Sequence, residues 1–149
     1  MDFIKNGKKA IATTIDALKK GYESLDNNFS DSIDLIKSKI PPGRLIVMGM
    51  GKSGHIGAKL AATFASTGTP SFFVHPAEAG HGDLGMITQD DIVLAISQSG
   101  ESEELAKLLP FIARRKIPLI SLTGNKESIL AKNSTFVIDT SVNRESCPL

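Results

Sequence analysis

The sequence predicts an α/β fold, in which a parallel five-stranded sheet is flanked by helices and preceded by an N-terminal helical pair. Two observations support this prediction. After residue 43, short apolar runs alternate with glycine-containing turns and with segments of helical periodicity. The apolar runs are continuous, as is typical of parallel strands that are covered on both faces. We therefore expect a Rossmann-like or flavodoxin-like sandwich at 44–149, after a separate helical region at 1–43.

The first 43 residues are predicted to form two helices. Apolar residues share one face from residue 2 to about residue 25, and a second helix begins after Asn28 or Ser30. This second helix ends before the Pro-Pro-Gly run at 41–43. We expect the two helices to pack on the α/β domain or to form a subunit interface.

The rest of the chain is predicted to alternate strands and helices. The predicted strands are 44–48, 71–74, 91–96, 118–123 and 135–138. The predicted helices are 56–66, 102–115 and 127–132, with a loop that contains one helical turn at 75–86. In such sheets ligands bind beyond the carboxyl ends of the strands. Two loops rich in glycine and serine, 49–54 and 97–102, lie at such ends.

The loop at 97–102 reads Ser-Gln-Ser-Gly-Glu-Ser and opens a predicted helix. Free N–H groups at a helix N-terminus attract phosphate, and serine hydroxyls add further donors. Gly100 would let the backbone approach such a ligand closely. These six residues also fit a second interpretation, in which Ser99 or Ser102 caps the helix and Gly100 forms a tight turn.

The loop at 49–54 resembles two nucleotide-binding signatures, both incompletely. It has the G-x-G-x-x-G spacing of a dinucleotide fingerprint, but the end of the second predicted strand lacks the acidic residue that this fingerprint requires. A P-loop would require a glycine where Ile46 stands. What remains is a short loop whose backbone at Gly51 and Ser53 is suited to line an anion site, with Lys52 projecting from it.

The segment 75–83 gathers two histidines and two acids between the second and third strands. A metal site would need His75, His81 and an acid to converge, but their spacing matches no standard zinc pattern, so we expect no metal. Glycines on either side of His81 leave its imidazole accessible for catalysis or substrate orientation. An ordinary hydrogen-bonding loop histidine fits this pattern equally well.

Acidic residues crowd the start of the helix after the serine loop. Glu101, Glu103 and Glu104 would each stabilise a helix N-terminus through its dipole. An acid beside a bound phosphate is otherwise unfavourable, so at least one of them is expected to have a function. Glu104 would face a sugar carbon if the serine loop held the phosphate. Glu145 lies in an irregular segment where no structural reason requires an acid.

Composition excludes several classes of protein. The 17 basic and 16 acidic residues nearly cancel, and no basic patch alternates with aromatic residues, so neither nucleic acid nor a membrane is an expected partner. The single cysteine, Cys147, fits a reducing compartment, and no signal-peptide pattern is present. We therefore expect a cytoplasmic protein. The sequence ends on Cys-Pro-Leu, as if partway through a longer domain.

Together these motifs resemble a known family. The loops 49–54 and 97–102 resemble the sugar isomerase (SIS) domain. Within it, the stretches 47–56, 62–70, 75–86 and 144–149 resemble bacterial D-arabinose-5-phosphate isomerases. The resemblance is dense from Leu45 to the end of the chain, and its most discriminating part is the His-Gly-Asp-Leu-Gly-Met run at 81–86.

This resemblance implies an enzyme that interconverts D-ribulose 5-phosphate and D-arabinose 5-phosphate through an enediol, without a cofactor. The product feeds 3-deoxy-D-manno-octulosonate, a sugar of lipopolysaccharide or capsules. The implied phosphate ligands are Ser97, Ser99 and Ser102. The implied catalytic residues are Lys52, Glu104 and Glu145, with His81 close by. The division of labour between the two glutamates stays open.

The resemblance also bears on assembly. Family members are homotetramers whose sites borrow residues across subunits, and they continue past Cys-Pro-Leu, often into a tandem pair of CBS domains. None of that continuation is present, so we expect the isolated chain to be incomplete as an enzyme. The alternative function is a phosphosugar-binding regulatory module, which needs the serine loop but not Lys52, Glu104 or Glu145.

Overall fold

The structure is a computed structural model that describes residues 2–146. The helices are α1 (Phe3–Ser24), α2 (Asn27–Lys39), α3 (Gly51–Ser66), α4 (Pro76–Ala79), α5 (Glu103–Arg114) and α6 (Ile129–Lys132), with a 3₁₀ turn at Asp83–Met86. The strands are β1 (Leu45–Gly49), β2 (Ser71–Val74), β3 (Ile92–Ile96), β4 (Leu119–Thr123) and β5 (Phe136–Asp139). In this described part of the chain they form one parallel sheet, which confirms the predicted fold class.

The strand order β2-β1-β3-β4-β5 reverses direction between β1 and β3. From β1 the chain first forms β2 on one side of that strand. It then crosses back to form β3, β4 and β5 on the other side. Such a reversal leaves a crevice beyond the carboxyl ends of the two strands, where ligands of α/β proteins bind. The register pairs Gly49 of β1 with Ile96 of β3 at that end.

The two faces of the sheet hold separate apolar clusters. All five residues of β1 are buried, which explains its unbroken apolar run. One face packs against α5 through the helix positions Leu105, Leu108, Leu109 and Ile112. The other face contacts α3 at Ala61 and α2 at Leu35 and Ile36. The sheet is therefore a rigid platform for the loops at its ends.

Helix α1 differs from the other long helices because it leaves its apolar face uncovered. Asp2 caps it by accepting a hydrogen bond from the Lys5 N–H. Among its large apolar side chains, Phe3 is 75% exposed and Tyr22 is 81% exposed. No helix in the described residues is both long and apolar enough to span a membrane.

Two local predictions were wrong. The segment 51–54 is not a turn, because α3 begins at Gly51 directly after the cap residue Met50, so Lys52 and Ser53 lie in its first turn. The segment 75–86 contains two helical pieces, α4 and the 3₁₀ turn, where one was predicted. Both errors follow from glycine, whose poor helix propensity hides helix starts that tertiary packing stabilises.

An ion pair between a partly exposed arginine and a buried carboxylate closes the end of the sheet opposite the loops. Arg44 donates to Asp91 from its Nε and NH2 groups at 3.0 and 2.8 Å, and its backbone N–H donates to the same carboxylate at 2.9 Å. Burial would raise the pKa of Asp91, but the bonds from Arg44 and Thr88 outweigh it and hold the pKa below its usual range. The pair links the start of β1 to the start of β3.

Candidate active site

The candidate site lies at the crevice between β1 and β3. Because Gly49 pairs with Ile96, the β1–α3 turn and the serine loop at 97–102 leave the sheet side by side. Each contains a glycine in the left-handed region, Gly51 at φ 51° and Gly100 at φ 69°. The structure therefore brings the two sequence-predicted loops together.

The β1–α3 turn is tight enough to require glycine at two positions. A Cβ on Gly54 would lie 2.7 Å from the carbonyl oxygen of Gly49, and a Cβ on Gly49 would lie 2.9 Å from the carbonyl carbon of Ser53. This contact fixes the first turn of α3 against the strand end. Lys52 is exposed there and Ser53 is half-buried. The turn thus presents a cation and backbone N–H groups at the crevice.

The serine loop is folded by its own hydroxyls. The Ser97 Oγ accepts from the Gly100 N–H at 3.1 Å, and the Ser99 Oγ accepts from the Glu101 N–H at 3.2 Å. Ser97 is only 7% exposed. Both hydroxyls keep a proton to donate, so the loop can offer a phosphate hydroxyl and backbone donors together.

Side-chain capping of α5 by Ser99 or Ser102 does not occur. Ser102 occupies the cap position, but its hydroxyl donates to Glu104 Oε2 at 2.9 Å instead of accepting from the helix. Ser99 bonds the backbone of Glu101, which lies before the helix. Ser102 is therefore the N-cap residue of α5 but makes no side-chain cap, Ser99 does not cap the helix, and Gly100 forms the tight turn that the second interpretation expected.

The three acids at the start of α5 have three different surroundings. Glu101 turns away from the crevice and accepts from the Ile129 N–H at 3.0 Å, at the start of α6. Glu103 is exposed and lies 3.8 Å from the Lys107 ammonium. Glu104 is half-buried beside the serine loop. Of the three, only Glu104 is placed to act on a ligand held by that loop.

The carboxyl group of Glu104 is stabilised as an anion. Hydrogen bonds from its own backbone N–H and from the Ser102 hydroxyl lower the pKa of Glu104, and nearby Lys107 and His75 act in the same direction. A carboxylate that stays ionised is free to accept a proton, although a lowered pKa makes it a weaker base.

A cleft between α4 and α5 contains two of the predicted catalytic residues. Its volume is about 300 Å³. The lining residues are Pro76, Ala77, Gly80, His81, Glu104, Lys107 and Leu108. The structure therefore brings His81 and Glu104 to one cleft, beside the serine loop. Lys52 lies in the first turn of α3 and is not part of this lining.

Glu145 lies elsewhere, against α1. It lines a second cavity of about 660 Å³ with Asn6, Lys9, Ala10, Thr13, Arg144 and Ser146. The segment that carries it is held by a 3.0 Å contact between the Ser146 and Thr14 hydroxyls and by Lys20 donating to Asn143 at 3.1 Å. None of the other predicted site residues lines this cavity. The resemblance places Lys52, Glu104 and Glu145 in one catalytic set. Within the described part of one chain, these three side chains do not lie together at one site. Cys147 lies outside the described residues.

His75 is a residue that sequence reasoning weighed only as a metal ligand. Within residues 2–146, no group of three or more His, Cys, Asp or Glu side chains is placed to hold a metal ion. The buried Nδ1 of His75 has no hydrogen-bond partner in that part of the chain. The His75 and Phe73 rings are T-shaped to one another, with their centroids 6.4 Å apart. In the sequence, the feature that could have marked His75 as a site residue is its position directly after a strand, at the edge of the sheet where the two loops lie.

Comparison with known proteins identifies the class of this domain. The family model described as SIS domain matches residues 40–149, which covers the sheet and both loops. The chain belongs to the SIS domain family.

Curated relatives carry a more specific name. The chain is 52% identical over 149 residues to Arabinose 5-phosphate isomerase KdsD of Pseudomonas aeruginosa, covering 100% of this chain and 45% of that protein. It is 49% identical over 148 residues to KdsD of Escherichia coli K12, covering 99% of this chain and 44% of that protein. The chain therefore spans less than half the length of these relatives.

Solved structures of other proteins have the same fold as this chain. The structure of E. coli CFT073 c3406 in complex with arabinose 5-phosphate superposes with a TM-score of 0.91 at 41% identity, covering 98% of this chain and 77% of that one. Phosphoheptose isomerase GmhA from Neisseria gonorrhoeae has the same fold at 16% identity, with a TM-score of 0.79 over 96% of this chain and 88% of that one.

Proposed function

We propose that this chain is the isomerase domain of an enzyme that interconverts D-ribulose 5-phosphate and D-arabinose 5-phosphate. The observation that carries the proposal is the side-by-side position of the serine loop and the start of α3 that carries Lys52, with Glu104 hydrogen-bonded to the serine loop through Ser102. The identity of about half its residues with relatives named arabinose 5-phosphate isomerase supports the choice of substrate.

The phosphate is held by the serine loop and by the adjacent turn. The hydroxyls of Ser97 and Ser99 donate to its oxygens, while Ser102, whose hydroxyl proton is donated to Glu104, contributes its backbone N–H, and the backbone at Gly51, Ser53 and Gly100 completes the phosphate site. The two positive-φ glycines allow the close approach that this binding needs. The sugar chain then extends toward the cleft that contains Glu104 and His81.

The chemistry needs a base, a proton relay and a cation. Glu104 removes the proton from C2 of the aldose and returns it to C1, while one proton moves between O1 and O2 through His81. Lys52 stabilises the negative charge that develops on the enediolate. Aldose and ketose are isomers, so the reaction balances without an oxidant or reductant, and we propose that no cofactor takes part.

We further propose that the working enzyme is a homotetramer in the cytoplasm that supplies 3-deoxy-D-manno-octulosonate for lipopolysaccharide or capsule synthesis. The exposed apolar face of α1 supports association, because Phe3, Leu18 and Tyr22 are 75%, 69% and 81% exposed. Glu145 lies against this same helix. We propose that it enters the site of a neighbouring subunit.

Turnover of ribulose 5-phosphate by the full-length protein, followed by NMR for arabinose 5-phosphate, tests the proposal. The expected result is equilibration of the two sugars by the wild-type protein and loss of the reaction in Lys52→Met. The Lys126→Met variant is a matched control, because Lys126 pairs with Asp139 on the surface at 3.4 Å. Binding of the sugar phosphates without any turnover would overturn the isomerase and support the regulatory binding module instead.

A further inference from the structure

The serine loop rests on α6, a helix that the proposed reaction does not use. The Leu130 N–H donates to the Gly100 carbonyl at 3.1 Å, and the Ile129 N–H donates to Glu101 Oε1 at 3.0 Å. Two consecutive loop residues are thus bonded to two consecutive N–H groups of α6. These bonds tie the loop to the segment that follows β4.

The contact beneath Gly100 is close-packed. A Cβ on Gly100 would collide with the Ser128 side chain and would lie 3.0 Å from Thr123 Oγ1. Ser128 and Thr123 are both fully buried. Ser128 is fixed in turn, since its hydroxyl donates to the Asn125 carbonyl at 2.7 Å and accepts from the Ala131 N–H at 3.2 Å. The loop therefore has a rigid support on one side, and Glu101 is the side chain that fastens it there.

The charge of Glu101 makes its orientation important. The residue adjoins Gly100 and precedes Ser102, so a carboxylate free to turn toward the crevice would repel a bound phosphate. The bond to Ile129 directs the charge to the start of α6, where an N–H group and the local dipole favour it. This hydrogen bond thus orders the loop and keeps the negative charge of Glu101 away from a bound phosphate.

We propose that Glu101 is a positioning residue, whose bond to the Ile129 N–H holds the 97–102 loop in its phosphate-accepting form. This inference rests on the proposed function, because it assumes that the loop binds a phosphate. Glu101 does not touch the substrate, so its loss changes affinity for the phosphate end and leaves the chemical step largely intact.

Three variants separate positioning from charge. Glu101→Ala loses both the acceptor and the charge, Glu101→Gln keeps an acceptor oxygen, and Glu103→Ala removes the neighbouring charge without touching α6. We expect Glu101→Ala to raise KM for the sugar phosphate about five- to tenfold, as the loss of one charge-assisted bond would, with little change in kcat. Glu101→Gln and Glu103→Ala are expected to stay close to the wild type.

Inorganic phosphate provides a readout that does not depend on turnover. In the wild type, phosphate binding is expected to shift the backbone amide signals of Ile129 and Leu130 together with those of the loop, and in Glu101→Ala the α6 shifts are expected to be lost. Equal KM values and equal shifts for Glu101→Ala and Glu103→Ala would overturn the inference. A wild-type protein that binds no phosphate would instead overturn the proposed function.

Discussion

Gly49 and Ile96 are register partners at the carboxyl ends of β1 and β3, on either side of the point where the strand order reverses. This pairing makes two loops that are far apart in sequence into neighbours. Lys52 lies in the first turn of α3, which follows β1. The serine loop follows β3 and leads into α5, which carries Glu104. The site is thus a consequence of sheet topology, and its side chains can be tested one at a time.

Replacing Gly100 with alanine is expected to lower the free energy of unfolding by about 2–4 kcal/mol, because the residue has a left-handed backbone and no room for a Cβ beside Ser128. Phosphate affinity should fall as well. The matched control is Gly21→Ala, on open helix surface in α1, which should stabilise the protein by about 0.5–1 kcal/mol. Chemical denaturation measures both values, and equal effects would contradict the packing described here.

Glu104→Gln is expected to lower kcat by about a hundredfold or more, because the base is lost while the shape is kept. Glu103→Gln, one residue earlier and exposed, should retain the wild-type rate. Steady-state kinetics with arabinose 5-phosphate provides the test. A Glu104→Gln variant at full rate would remove this residue from the proposed mechanism.

The pH profile tests how Glu104 is held. Its pKa is lowered by its own backbone N–H and by the Ser102 hydroxyl, so the base stays ionised at pH values below the usual range of a glutamate. In Ser102→Ala the pKa of Glu104 should rise, and the acidic limb of kcat should move to higher pH. An unchanged limb would show that this hydroxyl does not tune the base that the profile reports.

Asp91 is expected to make the fold sensitive to acid. Its pKa is lower in the folded state than in the unfolded chain, so its stabilisation is complete above the unfolded pKa of about 3.9 and is lost as the pH falls through the folded value. Asp91→Asn should lower the free energy of unfolding by about 2–4 kcal/mol at neutral pH, with a smaller difference in acid. Denaturation across pH measures this, and Glu127→Gln in an exposed pair is the control.

Ser121 carries a buried hydroxyl for which residues 2–146 offer no hydrogen-bond partner. The residue lies in β4 and is fully buried. Ser121→Ala should therefore leave stability unchanged or raise it by up to about 1 kcal/mol. Ser128→Ala, which removes a buried cap with two bonds, should cost about 1–2 kcal/mol. An equal loss of stability in both variants would show that the Ser121 hydroxyl has a hydrogen-bond partner.

The strands could be predicted because each one is recognisable from a short stretch of its own sequence. Each strand is an unbroken apolar run, and all five predicted strands match the observed ones to within a residue or two. The position of both loops at strand ends followed from that alternation. Helix starts were less predictable, because glycine at 51 and 54 lowers intrinsic helix propensity while tight packing on Gly49 stabilises the turn.

The roles of individual side chains could not be predicted from the sequence, for a different reason. Glu101, Glu103 and Glu104 share one charge and one helix start, and only the position of α6, Lys107 and Ser102 distinguishes them. The place of Glu145 against α1 depends on how the end of the chain runs, for which an irregular segment carries no periodic signal. The position of His75 after a strand could be read from the sequence, but the lack of a hydrogen-bond partner for its Nδ1 among residues 2–146 could not.

A backbone amide NMR titration with arabinose 5-phosphate tests most directly the claim that the two loops form one site. The signals of Gly51, Lys52 and Ser53 are expected to shift together with those of residues 97–102, and both sets are expected to give the same dissociation constant. This result is expected because Gly49 and Ile96 hold the loops side by side. Shifts confined to one loop, or two different constants, would contradict it.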